Sequence, residues 1–352
     1  MRIGIVSPGY PPTAGGVEVV VARTARALVR AGHAVDVLAA ERRRDLVPLA
    51  DDDGVVVRRF LSSRSANFPV APGLWRYVHE FGDRYDVLHG HGYHTLGALG
   101  AALVAPRTRF VFSPHYHGTG HSAARAALHR VYRPAGRLGF RRAEAVVCVS
   151  AAEARLVRAH FPAVADRVRV VPNAVDVAGI LAAQPFADDV PTVLSVGRLE
   201  RYKRVDRLVR AFALVPDRAR LVVVGDGPDR ARLAAMAHGD VRFVGRIGDD
   251  ELRRWYRTAR VVCSLSEHEA FGLTAAEAVV AGARVVLSDI PAHAELGRGS
   301  LVSASADDAE VAAVLTQALR DSGPGPGADG IASWDDVAGH LAAIYDEARC
   351  PT

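Results

Sequence analysis

The sequence predicts an α/β protein built from two doubly wound domains, and three observations carry that prediction. At 352 residues the chain exceeds the ~250–300 residues at which one hydrophobic core stops growing. Short apolar runs alternate with amphipathic helical patterns, the sign of a parallel sheet covered on both faces. The alternation pauses and then restarts near residue 190, so the architecture is used twice.

In the first series, Ile3–Val6, Val35–Ala39, Val87–Leu88, Phe110–Phe112 and Val146–Val149 each form the apolar centre of a short buried strand. Between the first two, Val17, Val20, Val21, Thr24 and Leu28 lie on one face of a helix that Gly32 ends. The stretch from Val177 to Val190 has no strong period, holds Pro185 and two aspartates, and reads as the interdomain linker. Pro191–Gly197 opens the second series, and Leu221–Val224, Val241–Val244, Val261–Leu265 and Val285–Ser288 continue it. Ala145–Ser150 faintly echoes Arg260–Ser266. Ser322–Gly327 is a loop by composition. After it Ser333 offers a helix cap, and Trp334, Val337, Leu341, Ile344 and Tyr345 mark a last amphipathic helix. Two such domains side by side leave a cleft at the carboxyl ends of their strands, where ligands bind.

The hydrophobic share of 49% and charged share of 24% are those of a soluble globular protein. The chain enters a strand at Met1–Val6 with no apolar signal region, and no run reaches the ~18–20 apolar residues of a membrane span. Cys148, Cys263 and Cys350 are few, odd in number and far apart, which favours reduced thiols in the cytoplasm. Residues 1–180 carry 24 Lys+Arg against 14 Asp+Glu, and the rest 20 against 25. A basic first half would suit an anionic lipid surface or an acidic acceptor. Only Arg42-Arg43-Arg44 forms a cluster, however, and solvated faces are the preferred reading. Nucleic-acid binding is not expected, because no aromatic-interleaved basic stretch occurs.

The strongest chemical signal is Ser266–Ala278. A strand ends there, and a helix follows Gly272, whose free N–H groups favour an anion such as a diphosphate. Glu269 stands just before that helix and Glu277 within it. One carboxylate would take sugar hydroxyls and the other the paired hydroxyls of a ribose. The ordinary alternative, an acid stabilised by the helix dipole, would hold for Glu277 alone. Lys203 follows Gly197-Arg198 after another strand and is the one lysine beside 43 arginines. A compact ammonium kept there suggests a phosphate oxygen approached end-on, with Arg198 supplying a fork to the same group. Gly15 and Gly16 open a helix and permit close backbone approach to a phosphate, without the G-x-G-x-x-G of a dinucleotide site. Among the histidines His89, His91, His94, His115, His117 and His121, no pattern completes a zinc set. His115 follows a strand and would reach a sugar hydroxyl, whereas His89 and His91 read at least equally well as core residues. Asp51-Asp52-Asp53-Gly54 reads as a solvated turn.

In order, Pro11–Glu18, Ala31–Val35, Asp86–His91, Pro172–Asp176, Ser195–Leu199 and the Glu-x7-Glu of Glu269 and Glu277 resemble glycosyltransferase family four over nearly the whole chain. The resemblance implies the GT-B fold: an N-terminal acceptor domain over 1–180, a donor domain over 190–332, and a helix over 334–352 crossing back to the first. It implies transfer with retention from a UDP or GDP sugar to a hydroxyl acceptor (glycolipid, polysaccharide or small natural product), without metal or other cofactor. Arg198 and Lys203 are similar to the cations that stabilise the departing diphosphate. Glu269 and the N–H groups of Ala270, Phe271, Gly272 and Leu273 resemble the sugar-holding segment, and Glu277 the ribose ligand. Gly197 lies in the matched strand-end segment. Gly245, Arg246 and Ile247 resemble the base-reading loop, Gly16 (beside Gly15) the glycine facing the diphosphate, and His115 the cleft histidine. Two departures are mild, Ala270 for glycine and Ala283 for proline. A third, Ile290-Pro291-Ala292-His293 in place of a Gly-Gly turn, touches the sugar pocket. The competing readings are a non-hydrolysing nucleotide-sugar 2-epimerase, for which no carboxylate cluster is found, and a non-catalytic sugar-nucleotide binder. Peripheral membrane contact through the basic half remains an open expectation.

Overall fold

The computed structural model describes residues 1–13, 15–63, 69–105, 107–118, 123–187, 190–215, 218–323, 325 and 327–347, with backbone only over 123–131. His121, Cys350, the two aspartates 188 and 189, prolines 324 and 326, and the end of the final segment lie outside the described residues. The chain divides into two compact units, Met1–Asn173 with Trp334–Thr352, and Ala174–Ser333.

The first unit holds β1 (Arg2–Ser7), α1 (Gly16–Arg30), β2 (Ala34–Glu41), β3 (Leu49–Asp52), β4 (Val55–Leu61), α2 (Pro72–Phe81) and β5 (Val87–His91). It continues with α3 (Leu96–Val104), β6 (Arg109–Ser113), α4 (Ala123–Arg142), β7 (Ala145–Cys148), α5 (Ala151–His160) and β8 (Val168–Val170). Its sheet runs β3-β4-β2-β1-β5-β6-β7-β8, parallel except for β3 against β4. Ile3, Ile5, Val37 and Val111 are fully buried, as strands covered on both faces require. The strand order reverses between β1 and β5, so the crevice of this sheet lies beyond Ser7 and His91.

The second unit holds α6 (Val177–Ala182), β9 (Thr192–Val196), α7 (Val205–Phe212), β10 (Arg220–Val224), α8 (Arg230–Ala235), β11 (Val241–Gly245) and α9 (Asp249–Thr258). Then come β12 (Val261–Ser264), α10 (Leu273–Val280), β13 (Arg284–Ser288), α11 (Pro291–Leu296), β14 (Ser300–Val302) and α12 (Asp308–Arg320). The wholly parallel sheet runs β11-β10-β9-β12-β13-β14 and reverses between β9 and β12. Helix α13 (Trp334–Glu347) belongs to the first unit, where it packs on α1 and buries Trp334, Val337, Leu341, Ile344 and Tyr345.

Two expectations are corrected. Asp51 and Asp52 are strand residues of a β3–β4 hairpin, and only Asp53-Gly54, both at positive φ, form its turn. Asp52 is held by Tyr10 Oη at 2.6 Å and by Arg26 Nη2 at 2.8 Å, so it is no solvated turn residue. The interdomain linker was expected at Val177–Val190, but residues 177–182 form α6 within the second unit, which begins at Ala174. Asp176 accepts from Gly179 N at 3.0 Å, capping α6, whose Ile180 is buried in the second unit.

Candidate functional site

In the second unit, the loops after β9 and β12 flank the point where the strand order reverses. Gly225 shows how tightly the backbone is drawn together there: a Cβ on it would lie 1.9 Å from Gly197 O. The two loops are joined by three contacts. Glu267 N donates to Tyr202 O at 2.8 Å, Arg204 Nη1 to Glu267 Oε1 at 2.7 Å, and Lys203 Nζ to Glu269 Oε1 at 2.6 Å. The last pair is about four-fifths buried on both sides (side chains 20% and 19% exposed). Burial, the largest effect, opposes the ammonium, yet the charge of Glu269, the Tyr202 phenol and the hydrogen bond to Glu269 together outweigh it and hold the Lys203 pKa above its ordinary value. Arg198 pairs with Glu200 at 2.8 Å and donates to Tyr202 Oη at 3.2 Å, while Lys203 Nζ lies 5.4 Å from the centre of the Tyr202 ring. Arg198 and Lys203 therefore flank Tyr202, and Glu269 holds the ammonium, two cations and one acid at a strand-end crevice.

Gly272 caps α10 in the left-handed region at φ 91°, a conformation costly for a residue with a Cβ. It lets the chain turn from the Glu269 loop into a helix whose first N–H groups belong to Leu273 and its successors. Glu277 lies on α10 and accepts from Tyr256 Oη of α9 at 2.8 Å. Gly245 ends β11 at φ 77°, its carbonyl accepting from Gly225 N at 2.7 Å, and Arg246 beyond it is exposed. Ile247 packs into the core behind α10.

In the first unit, Gly15 precedes α1, and a Cβ on it would collide with the Glu18 carboxylate. A Cβ on Gly16 would meet nothing within 4 Å, so the helix start is open there. His115 follows β6 at φ 48°, a strained setting for a non-glycine residue. Its Nε2 lies 3.0 Å from His91 Nδ1, and the two rings stack. Burial, then His117, lowers the His115 pKa to about 4, so both imidazoles stay neutral at physiological pH. His89 is a satisfied core histidine, between Tyr345 Oη at 2.7 Å and Ser113 Oγ at 2.9 Å. Among the described residues no three of His, Cys, Asp and Glu group as metal ligands. Cys148 and Cys263 are free and buried, and burial raises both thiols, that of Cys263 to about 12.

Residues 14–178 match the model of Glycosyltransferase Family 4, and residues 190–321 that of Glycosyl transferases group 1. A phosphatidyl-myo-inositol mannosyltransferase of Mycolicibacterium smegmatis is 30% identical over 98% of this chain and 94% of its own. The chain belongs to glycosyltransferase family 4. A D-inositol 3-phosphate glycosyltransferase of Xylanimonas cellulosilytica is likewise 30% identical, over 95% of this chain and 92% of that one. Sucrose-phosphate synthase of Thermosynechococcus elongatus superposes with a TM-score of 0.78 at 20% identity, over 99% of this chain and 98% of that one. Anabaena HepE in complex with UDP-glucose gives 0.72 at 19%, over 99% and 98%. These likenesses identify the fold as GT-B.

This family 4 chain has functional candidates that its sequence alone did not single out. Glu153, 1% exposed, accepts from Val149 N at 2.7 Å and from Tyr116 N, which ties the β7–α5 turn to the segment carrying His115. Tyr256 anchors Glu277 from another helix. His91, which the sequence left between core and site, is 3% exposed, and its Nε2 has no partner among the described residues. Only Ser150-x-x-Glu153 carries a local signal, and that pattern reads as an ordinary capping box.

Proposed function

We propose that this family 4 glycosyltransferase moves a hexose-type sugar from a UDP or GDP donor to a hydroxyl acceptor, with retention and without metal. The observation that carries this reading is the Lys203–Glu269 pair, 2.6 Å apart beside the α10 N-terminus. In this reading Glu269 fixes the donor sugar, while Lys203, Arg198 and the N–H groups from Ala270 to Leu273 stabilise the charge that develops on the leaving diphosphate. The fixed cations take the part a divalent ion would otherwise play. Glu277, oriented by Tyr256, takes the ribose hydroxyls, and the backbone of Gly245–Ile247 reads the base. Gly15, Gly16 and His115 serve the diphosphate and sugar from the first domain. The leaving phosphate oxygen receives the acceptor's proton as the new glycosidic bond forms on the same face of the sugar. Relatives named for D-inositol 3-phosphate and phosphatidyl-myo-inositol favour a polyol hydroxyl, free or lipid-borne, as acceptor. Arg42, Arg43 and Arg44 are all exposed, Arg43 pairing with Asp45 at 2.5 Å, and no helix of the described residues is long and apolar enough to cross a membrane.

A thermal-shift screen of UDP and GDP sugars tests the donor assignment, since a ligand at about 100 times its Kd adds about 2.7 kcal/mol of stability. The product's anomeric configuration by NMR tests retention, and turnover in chelator tests metal independence. No shift with any donor would sink the assignment. Donor consumption without acceptor, yielding an epimerised nucleotide sugar, would replace transfer with epimerisation.

A further inference from the structure

His293 stands on α11, in the turn where this chain departs from its family's Gly-Gly. It is 1% exposed, and its surroundings fix which nitrogen carries the proton. Nδ1 lies 3.0 Å from the Ser288 carbonyl oxygen and 3.1 Å from Ser288 Oγ. A carbonyl can only accept, so Nδ1 is the N–H. Ser288 Oγ in turn donates to Ser266 O, just beyond the end of β12. Nε2 is then a bare acceptor, and no described residue donates to it.

The ring's Cδ2–Nε2 edge faces the start of α10: a Cβ on Gly272 would lie 3.2 Å from Cδ2 and 3.5 Å from Nε2. Burial, the larger effect, lowers the ring's pKa; the charges of Glu269 and Lys203 both reach it with opposite signs. His293 therefore stands against Gly272 and within electrostatic reach of Glu269 and Lys203, as a neutral group in a fixed tautomer. Glu269 already accepts from Lys203, whereas Nε2 lacks a donor. At Nε2 itself the ring thus offers an acceptor to a neutral O–H and no donor.

We propose that His293 is a specificity-determining residue of the donor pocket, its Nε2 accepting a hydrogen bond from one hydroxyl of the transferred sugar. This rests on the donor reading above and deepens it. A buried acceptor left unpaired rejects a sugar lacking that hydroxyl more strongly than an apolar wall would.

Titration calorimetry of the full chain tests the assignment with UDP, GDP, UDP-glucose, UDP-galactose and GDP-mannose as probes. For each variant the sugar's contribution is the ratio of Kd for the bare diphosphate to Kd for the nucleotide sugar. His293→Leu removes both nitrogens. His293→Asn keeps a donor toward Ser288 but lacks the distal acceptor, and His293→Gln places an acceptor near Nε2. The bare diphosphate should bind all four proteins equally. The sugar ratio should fall about tenfold in His293→Leu and His293→Asn, and recover to within about threefold in His293→Gln. Equal sugar ratios in wild type and His293→Asn, or a wild type that gains nothing from any sugar while binding UDP or GDP, would overturn the assignment of His293. Failure of the wild type to bind either diphosphate would instead overturn the donor reading beneath it, and this one with it.

Discussion

Glu153 makes the stability of the first domain depend on pH in a calculable way. Its carboxyl is buried, and burial, only partly offset by the N–H groups of Tyr116 and Val149, raises its pKa from 4.5 to about 7. Between those two values the folded chain holds a proton that the unfolded chain has released. Stability from this group is thus full below pH 4.5 and declines as pH rises to 7. A shift of about 2.5 units corresponds to roughly 3 kcal/mol. Glu153→Gln abolishes the titration but not the cavity. Its carbonyl replaces one acceptor, while its NH₂ faces the other backbone N–H, at a cost of about 1–3 kcal/mol. The variant should therefore be less stable than wild type at pH 4.5 and equal or more stable at pH 8. Urea unfolding at both pH values, followed by fluorescence, measures the difference, in which all other titrations cancel. A wild-type-minus-variant difference that stays constant across this range would refute the reasoning.

The other predictions concern single contacts. Lys203→Ala should lower kcat about 100-fold or more in a donor-turnover assay, and Lys203→Arg should recover little, because a guanidinium does not fit a site shaped for an ammonium; turnover within threefold of wild type would revive the non-catalytic reading. Tyr256→Phe should raise the Kd of UDP or GDP about tenfold with kcat nearly unchanged, because it frees Glu277 from its 2.8 Å hydrogen bond without touching the sugar. Tyr345→Phe should cost about 1–3 kcal/mol in urea unfolding by leaving His89 Nδ1 unpaired; an unchanged midpoint would mean that this contact does not hold α13 to the sheet.

What was legible in the sequence follows from where each element's stabilisation originates. β1, β9 and β10 are buried on both faces, so their apolar runs announce them without reference to any partner. β3 and β8 escaped the sequence reading because their residues, Leu-Ala-Asp-Asp and Val-Arg-Val, are largely exposed and form strands only through neighbours. β3 depends on its register against β4, Leu49 opposite Arg58 and Asp52 opposite Val55, and no local pattern encodes that pairing. The same division runs through the site. Gly272 announces the start of α10 because a left-handed cap needs glycine, and that signal is local. The ion pair between Lys203 and Glu269 spans 66 residues and exists only because β9 and β12 lie side by side. Glu153 occupies the place of a capping-box acid after Ser150, whose hydroxyl accepts from its N–H at 3.0 Å, yet its carboxylate serves Val149 and Tyr116 instead. A local motif can thus be read correctly as a helix start while its side chain works across the sheet. In both domains the candidate chemistry gathers where the strand order reverses. There two crossover connections leave in opposite directions and open a crevice that no helix fills. Residues far apart in sequence meet at such a point through topology alone, so local sequence marks the loop ends and only the strand order shows which of them converge.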